Sequence, residues 1–147
     1  DAELLADIDS VVATCCAIKA RIVEQDEFDT GLRMLLNFGH TLGHAVEQHF
    51  GYSCFTHGEG VAIGMYQLTK RTEELGMTAK GSAERIKSVL EKYNLPLTAG
   101  VEKAQLLDTM ARDKKKNGNS ITLIILQQIG EGVLQKVDWQ EVPKYLG

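Results

Sequence analysis

The sequence predicts a mainly α-helical domain with a small β-hairpin near its C-terminal end. Apolar residues recur at helical spacing along most of the chain, capping patterns separate these stretches, and a dense β-branched run occurs in SITLIILQ. The chain has 147 residues, of which 44% are hydrophobic and 24% charged. This composition suits one globular domain that spans residues 1–147.

The first two predicted helices flank an interruption at residues 26–31. Apolar residues from Leu4 to Ile22 follow the spacing of a long amphipathic helix. After the interruption, a second helix is expected to run through the histidine-containing segment to about Phe50.

The third and fourth helices have recognisable ends. Thr56 and Glu59 match the S/T-x-x-E capping box at the start of the third helix, and Gly76 lies at a typical C-terminal glycine position. The fourth helix is expected over residues 82–93 and stops before Pro96.

The last third of the chain combines helix and strand patterns. A fifth helix is predicted over residues 103–112, followed by a basic loop, DKKKNGN. SITLIILQ and VLQKVD, joined by QIGEG, predict a hairpin. WQEVPKYL predicts a short terminal helix, whose length is limited by Pro143.

Charge, hydropathy and cysteine content exclude several classes of protein. The net charge is −4 with both signs mixed, which argues against a nucleic-acid partner. No apolar run approaches the roughly 20 residues that span a bilayer, and no signal peptide is recognisable. The three cysteines are expected to be buried free thiols in a reducing cytoplasm, with a disulfide or a redox site as the alternative. Because the chain begins within a helical pattern and lacks an initiator Met, we expect it to be part of a longer protein.

All four histidines lie between residues 40 and 57. On a continuous helix, Arg33, Asn37, His40, His44 and Glu47 would share one face, because they are separated by 4, 3, 4 and 3 positions. A solvated surface face is the alternative interpretation of this stripe.

Glycines beside the histidines argue for a functional or packing role. Gly39 and Gly43 each cost a helix about 1 kcal/mol relative to alanine, so we expect another helix or a ligand to approach the backbone there. His57 follows the Thr56 cap, and imidazoles from the second and third helices could bind one metal ion.

A third metal ligand is not evident in the sequence. Glu59 is expected to accept hydrogen bonds in the capping box, and Glu47 lies nearly two helical turns from His40, so neither suits the third ligand position. His49 is interpreted as a surface residue at the end of the second helix.

Cationic residues accompany the histidines. Lys19, Arg33 and the run Lys114–Lys116 could bind a doubly anionic substrate, such as a phosphorylated acid, beside a metal. For DKKKNGN, a solvated basic loop is the alternative.

Three segments together resemble a known enzyme family: KARIVEQDEFDTGLRMLLNFGHTLGHAVE, HGEGVAIGM and DKKKNGNSITLIILQQIG. They are similar to the C-terminal half of 3-dehydroquinate synthase, and the likeness covers essentially the whole chain. The resemblance implies a cytoplasmic lyase of the shikimate pathway, which leads to chorismate and the aromatic amino acids. Such enzymes convert the phosphorylated keto-acid DAHP to 3-dehydroquinate and phosphate, with transiently reduced NAD and a bound zinc or cobalt ion. A homodimer is also implied.

The resemblance assigns unlike roles to the histidines. His40 and His57 correspond to the two histidine ligands of the metal. His44 corresponds to a catalytic histidine that contacts the substrate phosphate.

The resemblance also implies a set of substrate-binding residues. Lys19 and Arg33 correspond to the pair that binds the carboxylate, and Asn37 to a residue that binds a hydroxyl. Lys114 corresponds to a lysine that holds the phosphate, and its neighbour Lys115 remains an alternative.

The family's third metal ligand, a glutamate, and its NAD-binding domain lie upstream of the matched segments. We therefore expect the chain to be the helical C-terminal domain of a two-domain enzyme, inactive and unable to bind zinc tightly by itself. Two alternatives remain: another sugar-phosphate cyclase, such as a 2-deoxy-scyllo-inosose synthase, and a non-catalytic helical metal-binding module. Lys19 and Arg33, which suit a carboxylate, favour the dehydroquinate enzyme over the other cyclases.

Overall fold

The structure is a computed structural model that describes the backbone of residues 2–28 and 31–147 and the side chains of residues 4–28, 31–111 and 118–147. The chain forms two compact units, Asp1–Leu36 and Asn37–Gly147. The predicted fold class, mainly helical with a hairpin near the end, is confirmed.

The α-helices and strands are α1 (Ala2–Gln25), α2 (His40–His49), α3 (His57–Glu74), α4 (Ser82–Lys92), α5 (Lys103–Asn117), β1 (Ser120–Gln128) and β2 (Glu131–Asp138). Two short 3₁₀ helices cover Leu32–Asn37 and Val142–Tyr145.

The first unit contains α1 and the turn that follows it. The helix matches the predicted amphipathic pattern, yet most of its apolar side chains are exposed, with Leu5 at 72% and Val12 at 53%. After the helix, the Asp26 carboxylate accepts the backbone N–H groups of Gly31 and Arg33, which organises the turn.

The cysteines are free, as predicted, but they are exposed. The expectation of burial is therefore wrong. For Cys15 and Cys16 the reason is their place on α1, where side chains 5–21 are all exposed.

The core of the second unit joins the helices to the hairpin. Leu42 and Ala45 of α2 and Leu68 of α3 form one cluster with residues of α5, both strands and the last 3₁₀ helix. The strands pair antiparallel as predicted, with Ile125 opposite Val133 in the register. None of the helices in the described part of the chain combines the length and apolar content that crossing a bilayer requires.

Glycines allow α2 and α3 to pack backbone against backbone. A Cβ atom on Gly43 would lie 2.9 Å from the carbonyl carbon and oxygen of Gly60, and one on Gly64 would meet the backbone of Gly39. Of the two explanations offered for the glycines, the structure supports the close approach of another helix.

The start of α3 has the predicted capping box. The Thr56 hydroxyl accepts the Glu59 N–H, and the Glu59 carboxylate accepts the Thr56 N–H. The Thr56 backbone hydrogen bond, followed by that from its hydroxyl, lowers the pKa of Glu59. Glu59 is therefore occupied in the cap, as expected.

The predicted second helix does not begin where expected. Leu32–Asn37 is a 3₁₀ helix, and Gly39 then adopts a left-handed conformation with φ 82° before α2 starts at His40. A side chain at Gly39 would collide with Val61 and Met65 of α3, so only glycine fits this turn. The prediction that Arg33 and Asn37 share a continuous helical face with the histidines is therefore wrong.

The fifth helix is longer than predicted. It runs to Asn117, so most of the expected loop DKKKNGN is helical, and Gly118 with φ 79° ends it. The side chains of Lys114 and Lys115, expected to contact phosphate, lie outside the described residues.

Candidate metal centre

Three histidines from two helices converge at the junction of α2 and α3. The ring centre of His40 lies 5.0 Å from that of His57, and the ring of His44 lies 5.6 Å from each of them. The contact between the glycines of α2 and α3 brings these rings together, because larger residues would separate the helices. The convergence of imidazoles from the second and third helices was predicted from the sequence.

Two of these rings are held through the same nitrogen. The Nδ1 atom of His40 lies 3.3 Å from the carbonyl oxygen of Phe38. The Nδ1 atom of His57 lies 3.2 and 3.3 Å from the two carboxylate oxygens of Glu47. Carbonyl and carboxylate oxygens accept hydrogen bonds, so these contacts favour the tautomer in which Nδ1 carries the proton and Nε2 carries the lone pair. A lone pair on Nε2 is the form in which imidazole binds a metal.

Glu47 is a member of the site that the sequence did not identify. Its exposed fraction is 6%, whereas His44 and His57 are exposed. Sequence spacing places Glu47 far from His40 and ten positions from His57, so only the packing of α2 on α3 reveals the contact. The one available signal was the position of Glu47 on the same helical face as His44.

The donor set fits a zinc or cobalt ion. Imidazole nitrogen binds both metals well, and two imidazoles on one tetrahedral zinc place their ring centres about 5 Å apart, given Zn–N bonds of about 2.0–2.1 Å. The 5.0 Å separation of His40 and His57 is compatible with this value and also with edge-to-face packing of the two rings. Among the described residues, the three side chains whose ligand atoms all lie within 4.8 Å of one another are His44, Glu47 and His57, a grouping that does not include His40.

The other predicted site residues occupy both units. Lys19 lies exposed on α1, and Arg33 is half-buried, with its guanidinium donating to the Glu27 carbonyl at 2.8 Å. Asn37 is exposed at the end of the first 3₁₀ helix. His49 ends α2, where its ring packs on Phe50. The interpretation of His49 as a helix-end residue agrees with this position.

A family model supports the resemblance in the sequence. The model for the 3-dehydroquinate synthase C-terminal region matches residues 2–116.

The chain belongs to the 3-dehydroquinate synthase C-terminal family.

Curated relatives agree with this membership. The 3-dehydroquinate synthase of Clostridium acetobutylicum is 47% identical over 147 residues, which are 99% of this chain and 41% of that protein. That of Enterococcus faecalis is 39% identical over 145 residues, 98% of this chain and 40% of that protein. The chain therefore spans about two-fifths of the length of these 3-dehydroquinate synthases.

Two solved structures share the fold of this chain. A 2-deoxy-scyllo-inosose synthase complexed with carbaglucose-6-phosphate, NAD+ and Co2+ superposes with a TM-score of 0.77 at 19% identity, covering 95% of this chain and 40% of the other. A 2-epi-5-epi-valiolone synthase from Streptomyces hygroscopicus, with NAD+ and Zn2+ bound, gives a TM-score of 0.69 at 20% identity, covering 85% and 35%.

Proposed function

We propose that this chain is the metal- and substrate-binding part of a longer 3-dehydroquinate synthase, which converts DAHP to 3-dehydroquinate and phosphate in the shikimate pathway. Family membership supports the reaction. The observation that carries the site is the convergence of His40, His44 and His57, two of which have Nε2 available as a ligand atom.

His40 and His57 are the proposed metal ligands. The separation of their ring centres is compatible with one tetrahedral ion, and Phe38 and Glu47 contact their Nδ1 atoms. When bound, zinc or cobalt would lower the pKa of a substrate hydroxyl and hold it in place. A glutamate outside this chain would complete the ligand set, and NAD would bind in the part of the longer protein that precedes these segments.

His44 is the proposed catalytic histidine. It is exposed, its ring lies 5.6 Å from both proposed ligands, and no hydrogen bond holds its ring nitrogens among the described side chains. A ring in this position can donate a hydrogen bond to a phosphate oxygen and take up a proton beside the metal.

Cationic and polar residues are the proposed contacts for the rest of the substrate. Lys19 and Arg33 would bind the carboxylate, Asn37 a hydroxyl, and Lys114 or Lys115 the phosphate. Holding the substrate at both ends would keep its reacting carbons and hydroxyls oriented toward the metal.

The test uses the longer protein, loaded with zinc and NAD. Phosphate release is measured with DAHP and with glucose 6-phosphate. We expect turnover of DAHP only, loss of turnover in His44→Ala, and full turnover in the control His49→Ala. Turnover of glucose 6-phosphate instead of DAHP would identify another sugar-phosphate cyclase. Turnover of neither substrate, with correctly folded and loaded protein, would contradict the enzymatic proposal.

The 147-residue chain by itself is expected to release no phosphate from DAHP and to bind zinc weakly, because the glutamate proposed as the third ligand lies outside it. Tight stoichiometric binding of zinc by the isolated chain would contradict this part of the proposal.

A further inference from the structure

The proposed function leaves Glu47 without a role, although it contacts a proposed metal ligand. Glu47 is 6% exposed, and both of its carboxylate oxygens lie within 3.3 Å of Nδ1 of His57. The His57 side chain is 56% exposed. An exposed ring is therefore held on one side by a buried carboxylate.

The packing of the two helices prepares this contact. A Cβ atom at Gly60 would lie 3.2 Å from Cγ of Glu47 and 3.1 Å from the carbonyl oxygen of Gly43. Without a side chain at position 60, α2 and α3 approach closely, and the Glu47 side chain passes along α3 toward His57. The capping box fixes the first turn of α3, in which His57 lies.

We propose that Glu47 is a positioning residue, which accepts the Nδ1–H of His57 and thereby directs Nε2 toward the metal. The inference rests on the proposed role of His57 as a ligand. An ionised carboxylate can only accept a hydrogen bond, so the contact fixes the proton on Nδ1. Metal-bound histidines commonly donate their second ring N–H to a carboxylate or a carbonyl, which fixes the tautomer and the ring orientation.

His40 provides a second argument for this role. Its Nδ1 donates to the Phe38 carbonyl, so Glu47 and Phe38 act on the two rings in the same way. With the proton on Nδ1, both rings would have Nε2 as the ligand atom, and the 5.0 Å between their centres is compatible with two ligands of one ion.

The competing arrangement makes Glu47 a direct ligand together with His44 and His57. In that case Nδ1 of His57 would bind the metal and Nε2 would carry the proton. The 3.2 Å separation between the carboxylate and Nδ1 suits either arrangement, but direct ligation by Glu47 leaves His40 outside the ligand set. The location of the proton on the His57 ring distinguishes the two.

The first experiment determines that tautomer. The longer protein is labelled with ¹⁵N-histidine, and long-range ¹H–¹⁵N correlation spectra are recorded with and without zinc above pH 8, with His57→Gln used for assignment. We expect the His57 proton on Nδ1 in both states, and a shift toward Nε2 in zinc-free Glu47→Leu. A proton on Nε2 in the zinc-loaded wild type, or the same tautomer in Glu47→Leu, would overturn the inference.

The second experiment measures zinc affinity by competition with a chelator. Glu47→Gln retains an oxygen that can accept the Nδ1–H, so we expect a loss of less than about 10-fold, whereas Glu47→Leu should lose about 10–100-fold. Gln48→Leu, on the neighbouring position of α2, serves as the control and should bind as the wild type does. Losses above about 100-fold in both Glu47 variants would indicate direct ligation, and an unchanged affinity in Glu47→Leu would indicate a packing role alone.

The two proposals can fail separately. Absence of zinc binding in the wild-type longer protein would contradict the proposed metal site, while the zinc-free tautomer would still test the effect of Glu47 on His57.

Discussion

Replacement of Gly43 by alanine tests the helix contact that brings the histidines together. The new Cβ atom would lie 2.9 Å from three backbone atoms of Gly60 and Val61. Ordinary carbon contacts are about 3.5–4.0 Å long, so α2 and α3 must move apart by roughly half an ångström or more. Neither helix can yield by rotating a side chain, because the opposing atoms belong to the backbone.

The expected change in stability follows from two opposing effects. Overpacking of this kind destabilises by about 1–3 kcal/mol, whereas alanine in a helix interior stabilises by up to about 1 kcal/mol relative to glycine. We expect a net loss of roughly 1–2 kcal/mol for Gly43→Ala. Gly58→Ala is the matched control, because nothing lies within 4 Å of its Cβ position, and it should leave stability unchanged or increase it.

Urea unfolding of the metal-free chain, followed by circular dichroism at 222 nm, measures both variants. The two substitutions add the same methyl group to glycines in adjacent helices, so their difference isolates the contact. A Gly43→Ala variant as stable as Gly58→Ala would refute the assignment of this glycine to the helix interface.

Two further substitutions test contacts that hold the second unit together. Glu73 accepts backbone N–H groups at the start of α4, at 2.8 and 2.9 Å, and these bonds lower its pKa below the ordinary value of 4.5. Because the folded-state pKa is the lower one, the ionised carboxylate stabilises the fold at neutral pH, and this contribution is lost as pH falls through the folded pKa. Glu73→Gln should therefore lower the urea midpoint at pH 7, with the difference shrinking in acid; a difference independent of pH would contradict the hydrogen-bonded carboxylate. Thr78 donates to the Leu126 carbonyl and contacts the buried hydroxyl of Thr72 at 2.7 Å. Thr78→Val should cost about 1–3 kcal/mol in urea unfolding, and a neutral result would show that this bond adds no net stability.

Local sequence signals predicted the elements that are stabilised by contacts or preferences within a short stretch of the chain. Thr56 and Glu59 stabilise the start of α3 by contacts within one turn, so the capping box was visible without a structure. The β-branched run likewise predicted β1, because the residues that favour a strand include those that the strand buries. The family resemblance then supplied the roles that are proposed for His40, His44 and His57.

Features created by packing between helices were not predictable in this way. The periodicity around Gly39 suits a helix, yet Gly39 makes a left-handed turn that lies against Val61 and Met65. Glu47 was considered only as a ligand beside His40, whereas the fold brings it to His57 of the next helix. Neither feature could be predicted, because spacing along one helix gives no information about the neighbouring helix.

The zinc affinities of three single histidine variants of the longer protein test the central claim most directly. His40→Ala and His57→Ala should each weaken binding by more than about 100-fold, beyond the range typical of outer-shell changes. His44→Ala should retain affinity within about 10-fold while abolishing phosphate release. Loss of zinc in His44→Ala together with retention in His40→Ala would contradict the account, because the metal would then be held by His44, Glu47 and His57.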